Sequence, residues 1–172
     1  FPTVEGGKSN PEAKVANDRV VALMLAEKAD IAISNDPDAD RIGIMVRQND
    51  KPIYLSGNQA AVLAADYLLA KMQTSGKLTA QHYIAKTIVT TDMLQAVADY
   101  YGTKLYTDML VGFKWIAELV RLKEQNGEIF VFGAEESFGM MVGSYVMDKD
   151  GAGGALPIAE LAAELKAQGK TL

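Results

Sequence analysis

The sequence has no cysteine, one histidine (His82) and one tryptophan (Trp115) among its 172 residues. Without cysteine there are no disulfides and no thiolate metal ligands, and a lone histidine cannot build a site from several imidazoles. Neither absence names a compartment, so cytoplasm is only the default expectation. No apolar run approaches membrane-spanning length, and the opening FPTVEGGKSNPE has neither the basic start nor the apolar core of a signal peptide. A soluble protein that does not engage membranes is therefore expected. The net charge is −5 and no basic block is present, which removes the electrostatic footprint of a nucleic-acid binder. A local basic pocket could still hold a small anion.

What the chain does have is apolar content: 49% of its residues, enough core for one domain or for one domain and part of another. It opens at Phe1 rather than at methionine, and its last periodic segment runs almost to Leu172. Both features read as a segment of something longer.

Asn10, Pro11 and Glu12 form a helix-start signal, and Ala16, Val20, Leu23 and Met24 recur at helical spacing, which predicts a helix to about Lys28. ADIAIS and RIGIMV alternate as strands on either side of SNDPDAD, and QND follows as a turn. From Pro52 the rhythm changes and a second unit is expected. Val62, Ala65, Leu69 and Met72 make a helical stripe, Gly76 breaks it, and HYIAKTIV is a strand. Thr91 and Asp92 cap a further helix, KLYT is a short strand, Phe113 to Val120 a helix, EIFVFG a strand, and Ile158 to Leu165 a last helix. GAGG at residues 151–154 reads as a flexible joint. This alternation predicts a layered α/β domain with a mainly parallel mixed sheet, preceded by a partial second α/β domain. Loops at the C-terminal ends of such strands are the expected place for a ligand.

The acidic stretch NDPDADR is the strongest chemical signal. Asp36, Asp38 and Asp40 occupy alternate positions directly before Arg41. Two carboxylates about 5 Å apart at an effective dielectric near 20 repel by roughly 3 kcal/mol, so three of them call for a positive partner. Oxygen-only ligands select a hard cation, and a compact triple that leaves coordination positions free suits Mg²⁺. Arg41 adds a bidentate group for phosphate. An EF-hand loop starting at Asp36 would need glycine and glutamate where Arg41 and Arg47 stand, so that reading fails. A phosphatase-type motif would want a Thr-bearing turn after its nucleophile, which DPDADR lacks. A solvated acidic turn is the plain alternative.

These residues resemble the α-D-phosphohexomutase family, in particular bacterial phosphoglucomutases whose Mg²⁺ loop reads DPDADR. FPTVEGGKSNPEA is similar to the segment leading into the last helix of the family's second domain, and LSGNQAAVLAADYLL to the opening of its third. GAEESFG resembles the family's sugar-binding loop and DKDG a motif downstream of it. The resemblance implies the end of domain two in residues 1–50 and a roughly complete domain three in residues 51–172. It implies that Asp36, Asp38 and Asp40 hold Mg²⁺, with Arg41 near the transferring phosphoryl group. It gives Glu135 and Ser137 the sugar hydroxyls, makes Lys149 a candidate for binding substrate or relaying a proton, and makes Gly112 a substrate-binding candidate, although Val111 stands where relatives carry threonine. Glu136 points elsewhere, since adjacent extended residues face opposite ways. Two carboxylate neighbours, Asp148 and Asp150, favour the charged form of Lys149.

The implied activity interconverts glucose 1-phosphate and glucose 6-phosphate through an enzyme phosphoserine, with glucose 1,6-bisphosphate as intermediate or activator. Phosphomannomutase or phosphopentomutase activity, or a sugar-phosphate-binding module without turnover, is the alternative. No Ser-His-Asn phosphoserine loop occurs in the sequence. The segment is thus expected to be inactive alone, to work with the remaining domains of its parent chain, and to be able to self-associate through its cut edge.

Overall fold

The computed structural model describes residues 4–172, so the first three residues of the FPTVEGGKSNPEA segment lie outside the described residues. The expected helix beginning after Asn10 starts instead at α1, Asp18–Ala26. Asn10 accepts a hydrogen bond from the Glu12 amide and so caps a turn rather than the helix. The side-chain amide of Asn17, buried, donates to the carbonyls of Pro11 and Ala13, and its oxygen accepts from Ser34. Those bonds satisfy the chain as short turns and leave α1 to begin one residue later.

Three strands follow, β1 (Ile31–Asn35), β2 (Ile42–Gln48) and β3 (Lys51–Leu55), paired antiparallel in that order. The acidic loop is the first connection. The second is Asn49-Asp50, both with positive φ, 51° and 57°, the two-residue turn whose twist matches a hairpin. The sequence pattern does not announce β3, because Pro52 interrupts it. Proline is tolerated there since β3 lies at the edge of its sheet. Arg47, at the end of β2, donates to the carbonyls of Lys28 and Ala29 and fastens the turn between α1 and β1.

The second sheet has the order β5-β4-β6-β7, with β4 (His82–Thr87), β5 (Lys104–Met109), β6 (Ile129–Ala134) and β7 (Met140–Val142). β4 pairs parallel with β5 and β6, and only β7 runs antiparallel. This is the mainly parallel mixed sheet that the strand and helix alternation predicts. Helices α2 (Gly57–Thr74), α3 (Met93–Tyr101), α4 (Phe113–Glu124) and α5 (Gly151–Ala167) cover it. Alanines 60, 61, 64 and 65 of α2 pack with Leu94, Ala98, Phe132 and Ile158 on one face, and Ile42 and Ile44 of β2 join the same core. On the other face Tyr83 and Phe130 meet Phe113, Ile116 and Val120 of α4. Each large apolar side chain so buried contributes about 1.5–3 kcal/mol. Among the described residues no helix is long and apolar enough to cross a membrane.

GAGG is not a joint. It forms the first turn of α5, capped by Asp150, whose carboxylate accepts from the Ala152 amide. Small size, not flexibility, is what these glycines supply. A Cβ on Gly151 would lie 2.2 Å from Asn35 Nδ2 and 2.6 Å from the Ala39 carbonyl oxygen, and one on Gly154 would press on Met140. The helix start therefore packs directly on the acidic loop.

A similar approach occurs at the start of α2, where a Cβ on Gly57 would fall 2.0 Å from the Glu136 carbonyl oxygen. Gly57→Ala is expected to destabilise the fold by about 1–3 kcal/mol through forced backbone displacement. Urea denaturation measures this, and an unchanged midpoint would contradict the close packing.

Candidate active site

The acidic loop is shaped by Asp36. Its side chain is buried, Oδ1 accepts from the Arg41 amide at 3.0 Å, and Oδ2 accepts from Arg41 Nε at 2.7 Å. Ala39 adopts a left-handed φ of 59° so that the chain can turn back within the loop. Asp38 is exposed, and Asp40 is half-buried. The three carboxylates bring ligand atoms within 4.8 Å of one another. Asp40 Oδ1 is buried without a hydrogen-bond partner among the described residues, although Arg41 Nε lies 3.6 Å away. A converging set of oxygen donors with one orphaned, buried carboxylate oxygen fits a hard divalent cation.

Burial alone would push the Asp36 carboxyl up. The amide and guanidinium of Arg41 outweigh that and hold it below the usual carboxylate value. Burial would likewise lower Arg41, and the bond to Asp36 reverses the direction and keeps the guanidinium charged.

The loop after β6 carries Glu135, Ser137 and Gly139. Glu135 is buried; its amide donates to the Gly139 carbonyl at 3.0 Å, and its Oε1 accepts from the Gly112 amide at 2.7 Å. Gly112 precedes α4 with a φ of 115°, a backbone that favours glycine. Glu135 and Gly112, two of the three expected substrate-binding residues, are thus in direct contact. Ser137 sits half-buried in the turn. Glu136 faces the other way, its Oε2 lying 3.4 Å from the Thr90 hydroxyl and 3.5 Å from that of Thr87.

The acidic loop and the β6 loop adjoin. Arg41 and Gly139 form an antiparallel bridge, and the Ile42 amide donates to the Phe138 carbonyl. Lys149 closes the arrangement with Nζ 2.9 Å from Asp40 Oδ2. Of the two carboxylates adjacent in sequence, Asp148 is 3.9 Å away and Asp150 caps α5, so the main partner of Lys149 is remote in the chain. Burial would lower the lysine, but the bond to Asp40 overcomes it and the ammonium is favoured.

Lys86 is a buried charge that the sequence pattern did not single out, and its partners are Thr90 and Asp92 rather than the acidic loop. It is the penultimate residue of β4, almost wholly buried, and it donates to the Thr90 carbonyl at 2.8 Å and pairs with Asp92 at 3.0 Å. A lysine inside the apolar run HYIAKTIV was the available signal. An apolar concavity of about 360 Å³ lined by Leu55, Val62, Leu63 and Met93 contains none of these carboxylates.

Residues 56–172 match the family described as phosphoglucomutase/phosphomannomutase, alpha/beta/alpha domain III, and residues 1–49 match its domain II. The chain belongs to the phosphoglucomutase/phosphomannomutase family. It is 39% identical over 166 residues to a phosphoglucomutase of Staphylococcus aureus strain N315, an alignment that covers 95% of this chain and 29% of that relative. The chain therefore spans under a third of the length of this relative. Among solved structures it is similar to the Paramecium phosphoglucomutase pp63/parafusin in its open form, with TM-score 0.66 and 26% identity over 93% of this chain and 26% of that one. A phosphoglucomutase/phosphomannomutase family protein from Burkholderia thailandensis shares the fold, with TM-score 0.70 and 17% identity over 90% of this chain and 31% of that one.

The unequal settings of the three aspartates have a measurable consequence. Asp36→Ala removes the partner of Arg41 and is expected to cost about 1–3 kcal/mol, whereas Asp38→Ala removes an exposed member of a repelling cluster and should leave stability equal or higher. Chemical denaturation of both variants at neutral pH compares them, and equal losses would contradict the geometry.

Proposed function

We propose that this chain is the metal-holding and sugar-binding part of a phosphohexomutase that interconverts glucose 1-phosphate and glucose 6-phosphate through an enzyme phosphoserine and glucose 1,6-bisphosphate. Residues 1–50 then form the end of the family's second domain and residues 51–172 its third, with β3, hydrogen-bonded to β2, lying at their seam. The observation that carries the reading is the meeting of two unlike loops. A carboxylate triple and a loop with a buried, oriented glutamate adjoin through the Arg41 and Gly139 bridge.

Asp36, Asp38 and Asp40 would hold Mg²⁺, which when bound supplies charge neutralisation at the transferring phosphoryl group. Arg41, its Nε fixed by Asp36, places a guanidinium beside that charge. Glu135 has one carboxylate oxygen committed to the Gly112 amide, which orients the other to accept from a sugar hydroxyl. Ser137, in the same turn, offers a hydroxyl to a neighbouring position on the ring. The Lys149 ammonium meets the anionic side of the substrate. Positioning and electrostatics of this kind account for most of the catalysis in phosphoryl transfer.

The test is turnover of glucose 1-phosphate by the whole protein with Mg²⁺ and glucose 1,6-bisphosphate, beside mannose 1-phosphate as competitor substrate. Asp38→Ala is expected to lower Mg²⁺-dependent turnover at least about tenfold although it does not destabilise the fold. Glu135→Gln is expected to impair substrate use while metal binding persists. Wild-type turnover in both variants would overturn the reading. The chain alone, lacking a Ser-His-Asn loop, is expected to fold and to turn over nothing.

A further inference from the structure

Lys149 reaches the acidic loop from the segment before α5, and its side chain is 19% exposed. Its stem lies against the β6 loop, so closely that a Cβ on Gly139 would fall 2.2 Å from Lys149 Cδ. Its Nζ is 5.7 Å from the centre of the Phe113 ring. The backbone on its C-terminal side is pinned: the Asp150 amide donates to the Met140 carbonyl and the Gly151 amide to the Ala39 carbonyl. Rotation of the side chain is therefore the available way for the ammonium to leave Asp40.

Asp40 is also the residue that the carboxylate cluster shares. One of its oxygens faces Lys149, and the other is the orphaned member of the triple. An ammonium and a divalent cation drawn to the same carboxylate repel each other, and Asp40 cannot satisfy both at close range without cost.

We propose that Lys149 acts as a tethered counter-ion of Asp40: a divalent cation on the three aspartates displaces its ammonium, which turns along the Gly139 loop toward Glu135 and meets the anionic group of a sugar phosphate. This inference rests on the metal and sugar assignments proposed above. It adds a linkage that those assignments do not contain. Cation binding makes the ammonium available to the sugar phosphate, and the sugar phosphate, by engaging the ammonium, relieves its opposition to the cation. The two affinities must then rise by the same factor. A lysine that merely oriented Asp40 as a ligand would have the opposite effect on the cation, because its removal would loosen the site.

Mn²⁺ binding to the whole protein, followed by electron paramagnetic resonance with and without glucose 1-phosphate, separates these cases. Lys149→Met keeps the stem over Gly139 and removes the charge. It is expected to tighten Mn²⁺ roughly fivefold in the absence of sugar phosphate, from the lost repulsion between ammonium and cation. It should also reduce the factor by which glucose 1-phosphate and Mn²⁺ tighten one another, while Lys149→Arg restores both values toward wild type. Thermal melts of the variants check that each is folded. Weaker Mn²⁺ binding in folded Lys149→Met, or an undiminished coupling factor, would overturn the counter-ion role and leave the metal assignment standing. Absence of Mn²⁺ binding in the wild-type protein would overturn the metal assignment and the counter-ion role together.

Discussion

The pairing of Asp36 with Arg41 is the constraint on which the site depends. Two hydrogen bonds from one residue, through its amide and its Nε, close the acidic loop into a compact turn and leave Asp38 and Asp40 on the same side as Asp36. Arg41 is also where the acidic loop joins the loop after β6, since its backbone bridges Gly139. The residue that neutralises the loop is thus the one that anchors it. A change in either role is transmitted to the other through a few covalent bonds.

Charge balance explains why such a loop tolerates its own composition. Three carboxylates whose ligand atoms lie within 4.8 Å face two cations supplied by the protein, Arg41 and Lys149. Each cation takes a different aspartate as its main partner, and Asp38 keeps its freedom at the surface. The remaining negative charge is what a hard cation would meet. The burial that disfavours each charged group is outweighed by its partner, so Asp36 stays ionised and Lys149 stays protonated.

Close backbone contacts give the arrangement its rigidity. Gly57 lets α2 begin against the Glu136 carbonyl, and Gly151 lets α5 begin against Ala39. Each helix start therefore rests on one of the two loops, the β6 loop or the acidic loop. Both loops also lean on the buried core that β2 shares with the second sheet, through Ile42, Ile44 and Ile158. Side chains at the site are consequently carried by packed elements rather than by long excursions of the chain.

The sequence by itself determined the order of the helices and of the longer strands, but not β3 or the short β7, together with the parallel character of the second sheet and the presence of an acidic triple. These depend on local periodicity, turn chemistry and neighbouring residue types. β3 was illegible because Pro52 disguises an edge strand, and the first turn of α5 because glycine chosen for close approach looks the same as glycine chosen for freedom. The DPDADR and EESFG stretches named the candidate residues, but their meeting through Arg41 and Gly139 joins positions far apart in the chain. Likewise, Lys149 has carboxylates on both sides in sequence and yet pairs chiefly with Asp40, while Lys86 is buried beside Thr90 in a run that reads as an ordinary strand. Only tertiary structure decided these partnerships, because the energy of a charge is set by whatever folding places within a few ångströms of it, and that is not written in the residues adjacent along the chain.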